Sequence, residues 1–327
     1  MVDLDKKDRK LLYYLSLNSR ESHTQLAKKI GLNKNSIKYR IDRLQKNGVI
    51  KQFTIIPNPV KCKLNTFNLL LKFNSDIYEN KEIIDYFKKS GFSTLVVTLS
   101  GNWDLFVEIM LRDFTEMADW IDEIISHFGN LLNDYKVFFV ASAPVREGGM
   151  IKEFFQDLDV EKPKPKKKDF APIDLDDVEK RIIYELSKDS SLPYLQIAKN
   201  MDVSLDVIRY RMKNLIDKNV IVRFDTKISL KALGYTKYLC RVKLRGGSKE
   251  RVGEIKKRIS VNDNVEYAFF DVNENNLVFT CAFKNSEEID HLLRGLRKDF
   301  SDLIADQEYL LIKETVLLDL FPKGMLE

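Results

Sequence analysis

The sequence predicts an α+β protein that contains the same two-domain unit twice. With a constant shift of 171 positions, residues 4–56 align with residues 175–227 without a gap, and 16 of the 53 pairs are identical. Within each copy the hydrophobic pattern changes from a helical period to short apolar strands. Because the repeat period is much longer than that of a solenoid, it indicates two fused copies of a complete unit, here called copy one and copy two.

Composition limits the class of protein only loosely. The 327 residues can form two to four domains, and 54 Lys and Arg against 49 Asp and Glu permit a nucleic-acid partner without requiring one. Cys62, Cys240 and Cys281 lie at no metal-ligand spacing and predict reduced thiols. No apolar run reaches the roughly 18 residues of a membrane helix, and the charged start lacks a signal-peptide core. We therefore expect a cytoplasmic, nucleoid-associated protein with no membrane partner.

The first part of copy one predicts a winged helix-turn-helix. Residues 5–17 have an apolar helical face, and Ser22 can cap a second helix that ends at Gly31. Asn33 can cap a third helix, and apolar residues within 49–56 predict two short strands that form a wing. Two short helices joined at a glycine turn and followed by a hairpin are typical of this fold.

The third helix carries the functional prediction. Ile37, Ile41 and Leu44 recur at the helical period and must face the core. The remaining surface offers cations and amides that can bind phosphates and base edges in the major groove, while the start of the second helix and the wing can contact the backbone. A merely solvated charged face is the alternative. The candidate DNA-binding residues of copy one are Ser22, His23, Thr24, Gln25, Asn33, Lys34, Asn35, Ser36, Lys38, Tyr39, Arg40, Arg43 and Lys51.

The two copies differ in charge at these positions. Residues 4–56 hold 13 basic and 4 acidic side chains, a net charge of +9, whereas residues 175–227 hold 10 and 9, a net charge of +1. Phosphate contacts set the sequence-independent part of DNA affinity, so copy one should bind DNA more strongly and copy two should be a weak binder or a structural partner. In copy two, Asp202, Leu205, Asp206 and Val207 replace Gly31, Lys34, Asn35 and Ser36, whereas Arg209, Tyr210, Arg211 and Lys213 remain as candidate DNA-binding residues.

The second part of each copy predicts a ferredoxin-like domain with the order βαββαβ. In copy one the predicted elements are 67–73, 81–89, 93–99, 105–111, 114–128 and 137–140. In copy two they are 238–244, 251–259, 265–272, 277–283, 289–300 and 309–317. The domains are therefore a winged helix-turn-helix at 1–60, an α/β domain at 61–145, a Lys/Pro-rich linker at 146–172, a degenerate winged helix-turn-helix at 173–230 and a second α/β domain at 231–327. The run 161–168 is either a solvated tether or a basic arm that contacts phosphates.

The whole pattern resembles the Lrp/AsnC (feast/famine) family of prokaryotic regulators. The runs that carry the resemblance are 4–12, 25–32, 37–44 and 48–51. The resemblance implies that the α/β domain is a RAM domain, which dimerises through its sheet and often binds a small effector such as an amino acid. It also implies an effector site at the loop between the second and third strands, where Gly101, Asn102 and Asp104 match the family pattern. Copy two lacks the glycine and the acid, and a simple hairpin turn is the alternative.

The expected partners are double-stranded DNA and a second chain. We favour a homodimer through the RAM domains, with an internal pseudo-dimer of the two copies as the alternative. Copy two could instead hold a protein partner such as the basal transcription machinery.

No catalytic or metal-binding constellation is evident, so the sequence predicts neither an enzyme nor a cofactor beyond a possible amino-acid effector. His23, His127 and His291 lie at no metal-ligand spacing. One enzyme alternative remains, because siroheme decarboxylases are similar in overall layout. Those enzymes need histidines and arginines directed at a tetrapyrrole, and none of the three histidines here lies in a predicted α/β strand.

Overall fold

A computed structural model describes residues 2–140, 150–160 and 171–326, and it has the predicted α+β order twice. The elements of copy one are α1 (Lys6–Leu17), α2 (His23–Ile30), α3 (Lys34–Lys46), β1 (Ile50–Pro57), β2 (Asn65–Phe73), α4 (Lys81–Lys89), β3 (Ser93–Ser100), β4 (Leu105–Leu111), α5 (Phe114–Phe128) and β5 (Leu132–Phe139). The elements of copy two are α6 (Asp177–Lys188), α7 (Tyr194–Met201), α8 (Leu205–Asp217), β6 (Ile221–Ile228), β7 (Thr236–Leu244), α9 (Lys249–Ser260), β8 (Val265–Asp271), β9 (Asn276–Phe283), α10 (Glu287–Asp299) and β10 (Ile304–Leu318).

The chain folds into two compact units, and each unit takes its parts from both copies. The helical unit comprises Met1–Asn65, Phe155–Leu233 and Asp319–Glu327, and the sheet unit comprises Thr66–Phe154 and Gly234–Leu318. Like parts of the two copies have therefore associated, which is the internal pseudo-dimer. A homodimer through the RAM domains stays a prediction.

The predicted wing was wrong in its pairing. Residues 49–56 do not form a local hairpin; β1 is one continuous strand, and it pairs antiparallel with β6 of copy two. An extended strand must satisfy its backbone N–H and C=O groups, and here the second copy supplies the partner groups. The two helix-turn-helix domains are thus joined by a shared two-stranded ribbon.

The contacts along this ribbon are approximately twofold symmetric. Ser229 donates its N–H to Val49 O at 2.8 Å, and Asn58, the copy-one equivalent of Ser229, donates to Val220 O at 2.8 Å. The equivalent hydroxyls of Ser19 and Ser190 are 2.8 Å apart. These reciprocal bonds place the two helix-turn-helix domains in equivalent positions about the ribbon.

The sheet unit contains two ferredoxin-like sheets joined edge to edge. The strand order is β5-β2-β4-β3-β10-β7-β9-β8, so each copy has the ferredoxin arrangement and β3 pairs antiparallel with β10 across the copies. At the other edges, a single bridge joins Val140 to Asp271. One face of each sheet packs on the helices of its own copy, and residues such as Leu70, Phe138, Leu239 and Phe269 form a shared core on the other faces.

Two predicted strands begin earlier in the structure than the sequence predicted. Two predicted domain boundaries, those of the linker and of the last domain, were also wrong. β5 starts at Leu132 because its first, polar and exposed residues pair with β2, and β10 starts at Ile304 because it pairs with β7. Residues 150–160 were predicted to be part of the linker but pack in the fold, since Ile151 and Phe155 are buried and Phe155 packs edge to face on Tyr13. The run 161–168 lies outside the described residues.

The end of the chain also departs from the predicted boundary of the last domain. Residues after Leu318 belong to the helical unit, where Asp319 pairs with Lys188 and both Phe321 and Met325 are buried. Each helix-turn-helix domain is therefore packed against the segment that follows the α/β domain of its own copy. These segments carry apolar side chains, which are buried by this packing.

Candidate nucleic-acid interface

The recognition helix α3 is formed and presented as the sequence predicts. Asn33 caps it by accepting the Ser36 N–H at 2.8 Å, and Ile37, Ile41 and Leu44 are buried. Helix α2 begins with a capping box, in which Ser22 and Gln25 satisfy each other, and it ends at Gly31 with φ 72°. The glycine turn then sets the angle between α2 and α3.

Several candidate DNA-binding side chains of copy one lie on the surface of this pair of helices. Lys34, Asn35, Lys38 and Thr24 are exposed, and Tyr39 is 67% exposed. The other candidates here are half-buried or engaged locally: His23 is half-buried, Asn33 and Ser36 form the cap, and Ser22 and Gln25 form the capping box. Lys51 is exposed on β1.

Arg40 and Arg43 do not point freely from this surface, because each guanidinium forms ion pairs with the start of α1. The Arg40 guanidinium donates to Asp5 at 2.8 Å and to Asp8 at 2.6 Å, and Arg43 donates to the other oxygen of Asp8. The Asp8 side chain is only 1% exposed. The two arginines therefore hold the start of α1 against α3, and a buried carboxylate needs such partners.

The electrostatics of this clamp support a structural role. Burial alone would lower the pKa of Arg40, but the hydrogen bonds that its guanidinium donates to Asp5 and Asp8 outweigh burial and raise the pKa above its ordinary value. Burial alone would raise the pKa of Asp5, but the Asp8 N–H and the Arg40 guanidinium hold that pKa below its ordinary value. Both groups are thus held in their charged forms.

Copy two keeps the clamp and changes the surface. Arg211, the equivalent of Arg40, pairs with Asp176 at 2.7 Å and with Glu179 at 3.3 Å. The other candidates of copy two, Tyr210, Lys213 and Arg209, are exposed, and Arg209 pairs with its neighbour Asp206 at 3.2 Å.

The exposed surface of copy two is also apolar where copy one is polar. Leu195 stands at the position of Thr24 and is 54% exposed, and Val207 stands at the position of Ser36 and is 38% exposed. The turn is kept without glycine, because Asp202 adopts φ 54°. An aspartate tolerates this left-handed conformation better than most residues.

Sequence reasoning missed the role of Arg20, which joins the two copies. Arg20 donates to the carbonyl oxygens of Ser190 and Leu192 at 2.6 and 2.9 Å, and its guanidinium lies 4.7 Å from the centre of the Tyr194 ring. Its equivalent in copy two is Ser191, so this contact exists on one side of the pseudo-twofold only. That mismatch within the repeat was the available signal.

The residues predicted to hold an effector lie in the turn between β3 and β4, where two of them have packing roles. Gly101 has φ 138°, and a Cβ there would lie 2.6 Å from the side chain of Leu310 on β10. The Asp104 carboxylate accepts the Phe73 N–H at 2.7 Å, while Asn102 is exposed. The hairpin turn that we gave as the alternative accounts for Gly101 and Asp104 without a ligand.

The geometry defines two helix-turn-helix domains, and comparison with known proteins agrees. A family model described as winged helix-turn-helix DNA-binding matches residues 4–51 and 175–222. Over 117 residues the chain is 34% identical to an uncharacterized HTH-type transcriptional regulator of Pyrococcus abyssi, which covers 35% of this chain and 78% of that protein. A similar regulator of Pyrococcus furiosus is 28% identical over 147 residues, 44% of this chain and 97% of the relative.

The chain therefore belongs to this family of HTH-type transcriptional regulators, and the class of protein predicted from the sequence is confirmed. The relatives correspond to one copy, whereas this chain contains two. No helix among the described residues is long and apolar enough to cross a membrane.

A solved structure matches both copies together. The crystal structure of the siroheme decarboxylase NirDL in co-complex with an iron-uroporphyrin III analogue has a TM-score of 0.66 and covers 98% of this chain and 96% of its own. The sequence identity is 15%, so the likeness extends to the fold alone.

Proposed function

We propose that this protein regulates transcription by binding specific sequences in double-stranded DNA, chiefly through α3 of copy one. The observation that carries the proposal is the surface of α3, where Lys34, Asn35 and Lys38 are exposed above a buried apolar seam. In the described part of the chain, Lys34 and Lys38 form no ion pair. Free cations and an amide at the start of a recognition helix match the donors that base edges and phosphates require.

The proposal divides the basic side chains into two roles. Lys34, Lys38 and Lys51 contact DNA, whereas Arg40 and Arg211 position their helices and make no base contact. The ion pairs to Asp5, Asp8, Asp176 and Glu179 support this division, since those bonds would have to break before either arginine could reach a groove.

A selection from a random-sequence duplex library tests the proposal. The full chain should retain a common motif, and its affinity for that motif should fall steeply as salt rises, with a log–log slope that reports the number of phosphate contacts. The variant K34A/K38A should lose the motif and lower the slope by about two, one for each lysine, while K257A on α9 of the sheet unit should bind as the wild type does. Failure to enrich any sequence, with no binding to duplex DNA at low salt, would contradict the proposal.

Modulation by a small effector is the finer part of the proposal, and the exposed Asn102 is the residue of the turn that is left for a ligand, because Gly101 and Asp104 are engaged in packing. Addition of each amino acid during the DNA titration tests it. A shift in DNA affinity that the variant N102A abolishes is the supporting result.

A siroheme-decarboxylase-like activity is the second candidate, and the whole-length fold match favours it. Among the described residues, however, His127 and His291 lie on helices and His23 lies in the helix-turn-helix. Titration of the purified protein with siroheme decides this candidate. A shifted absorption band and loss of carboxyl groups would support it, and an unchanged siroheme spectrum would exclude it.

A further inference from the structure

The helical unit contains two recognition helices in equivalent positions, but among the described residues the first turn of the helix is basic and polar in copy one and acidic and apolar in copy two. We infer that a single chain recognises an asymmetric DNA site, in which base-specific contacts are confined to the half that faces α3 of copy one. The half that faces α8 of copy two is contacted through its backbone and its sequence is not read. This inference rests on the proposed function and specifies the symmetry of the DNA that the protein takes.

The first argument is the internal pairing. In helix-turn-helix dimers, two recognition helices related by a twofold axis contact the two half-sites of a palindrome. Here the twofold is formed within one chain, by the β1–β6 ribbon and by reciprocal bonds in which Ser19 donates its N–H to Phe224 O at 3.1 Å and Ser190 donates to Phe53 O at 3.0 Å. One chain thus already holds the pair of helices that a homodimer would otherwise assemble.

The second argument is that copy two keeps the buried seam, the cap and one clamp arginine of its recognition helix. Ile208, Met212 and Leu215 are buried as their equivalents are in α3, and Ser204 caps α8 by accepting the Val207 N–H at 3.3 Å. The clamp through Arg211 is also present. The difference between the copies is therefore a difference of surface on a common skeleton.

The third argument is the chemistry of that surface. At the first turn of the helix, where helix-turn-helix proteins contact base edges, copy one offers Lys34, Asn35 and Ser36. Copy two offers Leu205, Asp206 and Val207, of which the Asp206 side chain is 89% exposed and carries a charge that phosphates repel. A leucine, an aspartate and a valine supply no hydrogen-bond donor to a purine, so this turn cannot make the commonest specific contacts.

The remaining cations of copy two fit contact without sequence recognition. Lys213 and Tyr210 are exposed further along α8, and Arg209 is partly neutralised by Asp206. Such side chains can bind phosphates and fix the position of the chain on the duplex, which carries no sequence information.

An exchange of the three surface residues between the copies tests the inference, and each exchange is structurally conservative because the other copy already carries it. The experiment uses the full chain and two DNA duplexes. The first duplex contains the motif obtained by selection, and the second contains an inverted repeat of the more strongly selected half of that motif. Binding is measured by fluorescence anisotropy, and the number of chains per duplex is measured by native mass spectrometry.

The wild type should bind the original duplex as one chain, and base changes should matter in one half only. It should gain less than about threefold on the inverted repeat. The variant L205K/D206N/V207S should bind the inverted repeat at least about tenfold more tightly than the wild type does, since each restored base contact is worth roughly that factor. The reverse variant K34L/N35D/S36V should lose specific binding of either duplex while its thermal unfolding stays unchanged.

Two results would overturn the inference while leaving DNA binding intact. One is equal sensitivity to base changes in both halves of the selected motif, and the other is a complex that forms only with two chains per duplex. If no duplex is bound by any form of the protein, the proposed function fails and the inference fails with it.

Discussion

The helix-turn-helix of copy one and that of copy two share a skeleton and differ in their surfaces. Both bury an apolar seam on the third helix, and both tie that helix to the first one through an arginine, Arg40 in copy one and Arg211 in copy two. The exposed first turn is basic and polar in one copy and acidic and apolar in the other. The comparison shows that a residue that is the same in both copies, such as the clamp arginine, can have a structural role. Residues that contact DNA are therefore easier to identify at positions where the two copies differ.

The largest difference should appear in DNA affinity. K38E should weaken binding of the selected duplex by about 100-fold, because a cation on the recognition surface becomes an anion beside phosphates. R209E, the equivalent change in copy two, should cost about tenfold less than K38E does, because Arg209 contacts only the DNA backbone and is paired with Asp206. Anisotropy titrations at one fixed salt concentration measure both, and equal losses would remove the functional asymmetry between the copies.

The second difference concerns stability, and it runs in the opposite direction. R211A should destabilise the protein by about 2 kcal/mol, because Glu179 is left buried without a cation. R40A should cost about 1 kcal/mol, since Arg43 still pairs with Asp8, whereas the residue equivalent to Arg43 in copy two is Asn214. Urea unfolding measures both changes. A larger loss of stability for R40A than for R211A would show that Arg43 does not compensate for the loss of Arg40.

The third difference is in the turn between the second and third helices. G31A should destabilise the protein by about 1 kcal/mol from backbone strain alone, since a Cβ at this position meets no atom within 4 Å. D202G, the converse change in copy two, should stabilise it by about 0.5 kcal/mol, because glycine adopts this conformation without strain. Thermal unfolding measures the pair, and a stabilising G31A would contradict the argument.

The smallest effect should be acid sensitivity in copy one. Because the pKa of Asp5 is held below its ordinary value in the folded protein, its contribution is present above about pH 4 and is lost as the pH falls below that value. D5N should therefore flatten the pH dependence of unfolding between about pH 4 and pH 2. A pH profile of D5N that matches the wild type in this range would show that Asp5 carries no linkage.

Local pattern was enough to predict the helices around the candidate site. As predicted, the N-terminal caps of α2 and α3 are Ser22 and Asn33, and the turn between the two helices is at Gly31. These roles could be predicted because capping depends on groups within four residues of each other. The exposure of Lys34 and Lys38 followed from the seam at Ile37. The roles of Arg40 and Arg43 could not be predicted in this way, since their partners lie 32 to 35 positions earlier in the chain.

The sequence by itself determined that the protein is α+β, that it is duplicated, and that its first copy carries the more basic recognition surface, because these properties are written in composition and in short-range periodicity. Only the tertiary structure decided that β1 pairs with β6, that β3 pairs with β10, and that Arg20 joins the two copies. A strand edge or a guanidinium can be satisfied by many distant groups, and which group does so depends on how the whole chain packs.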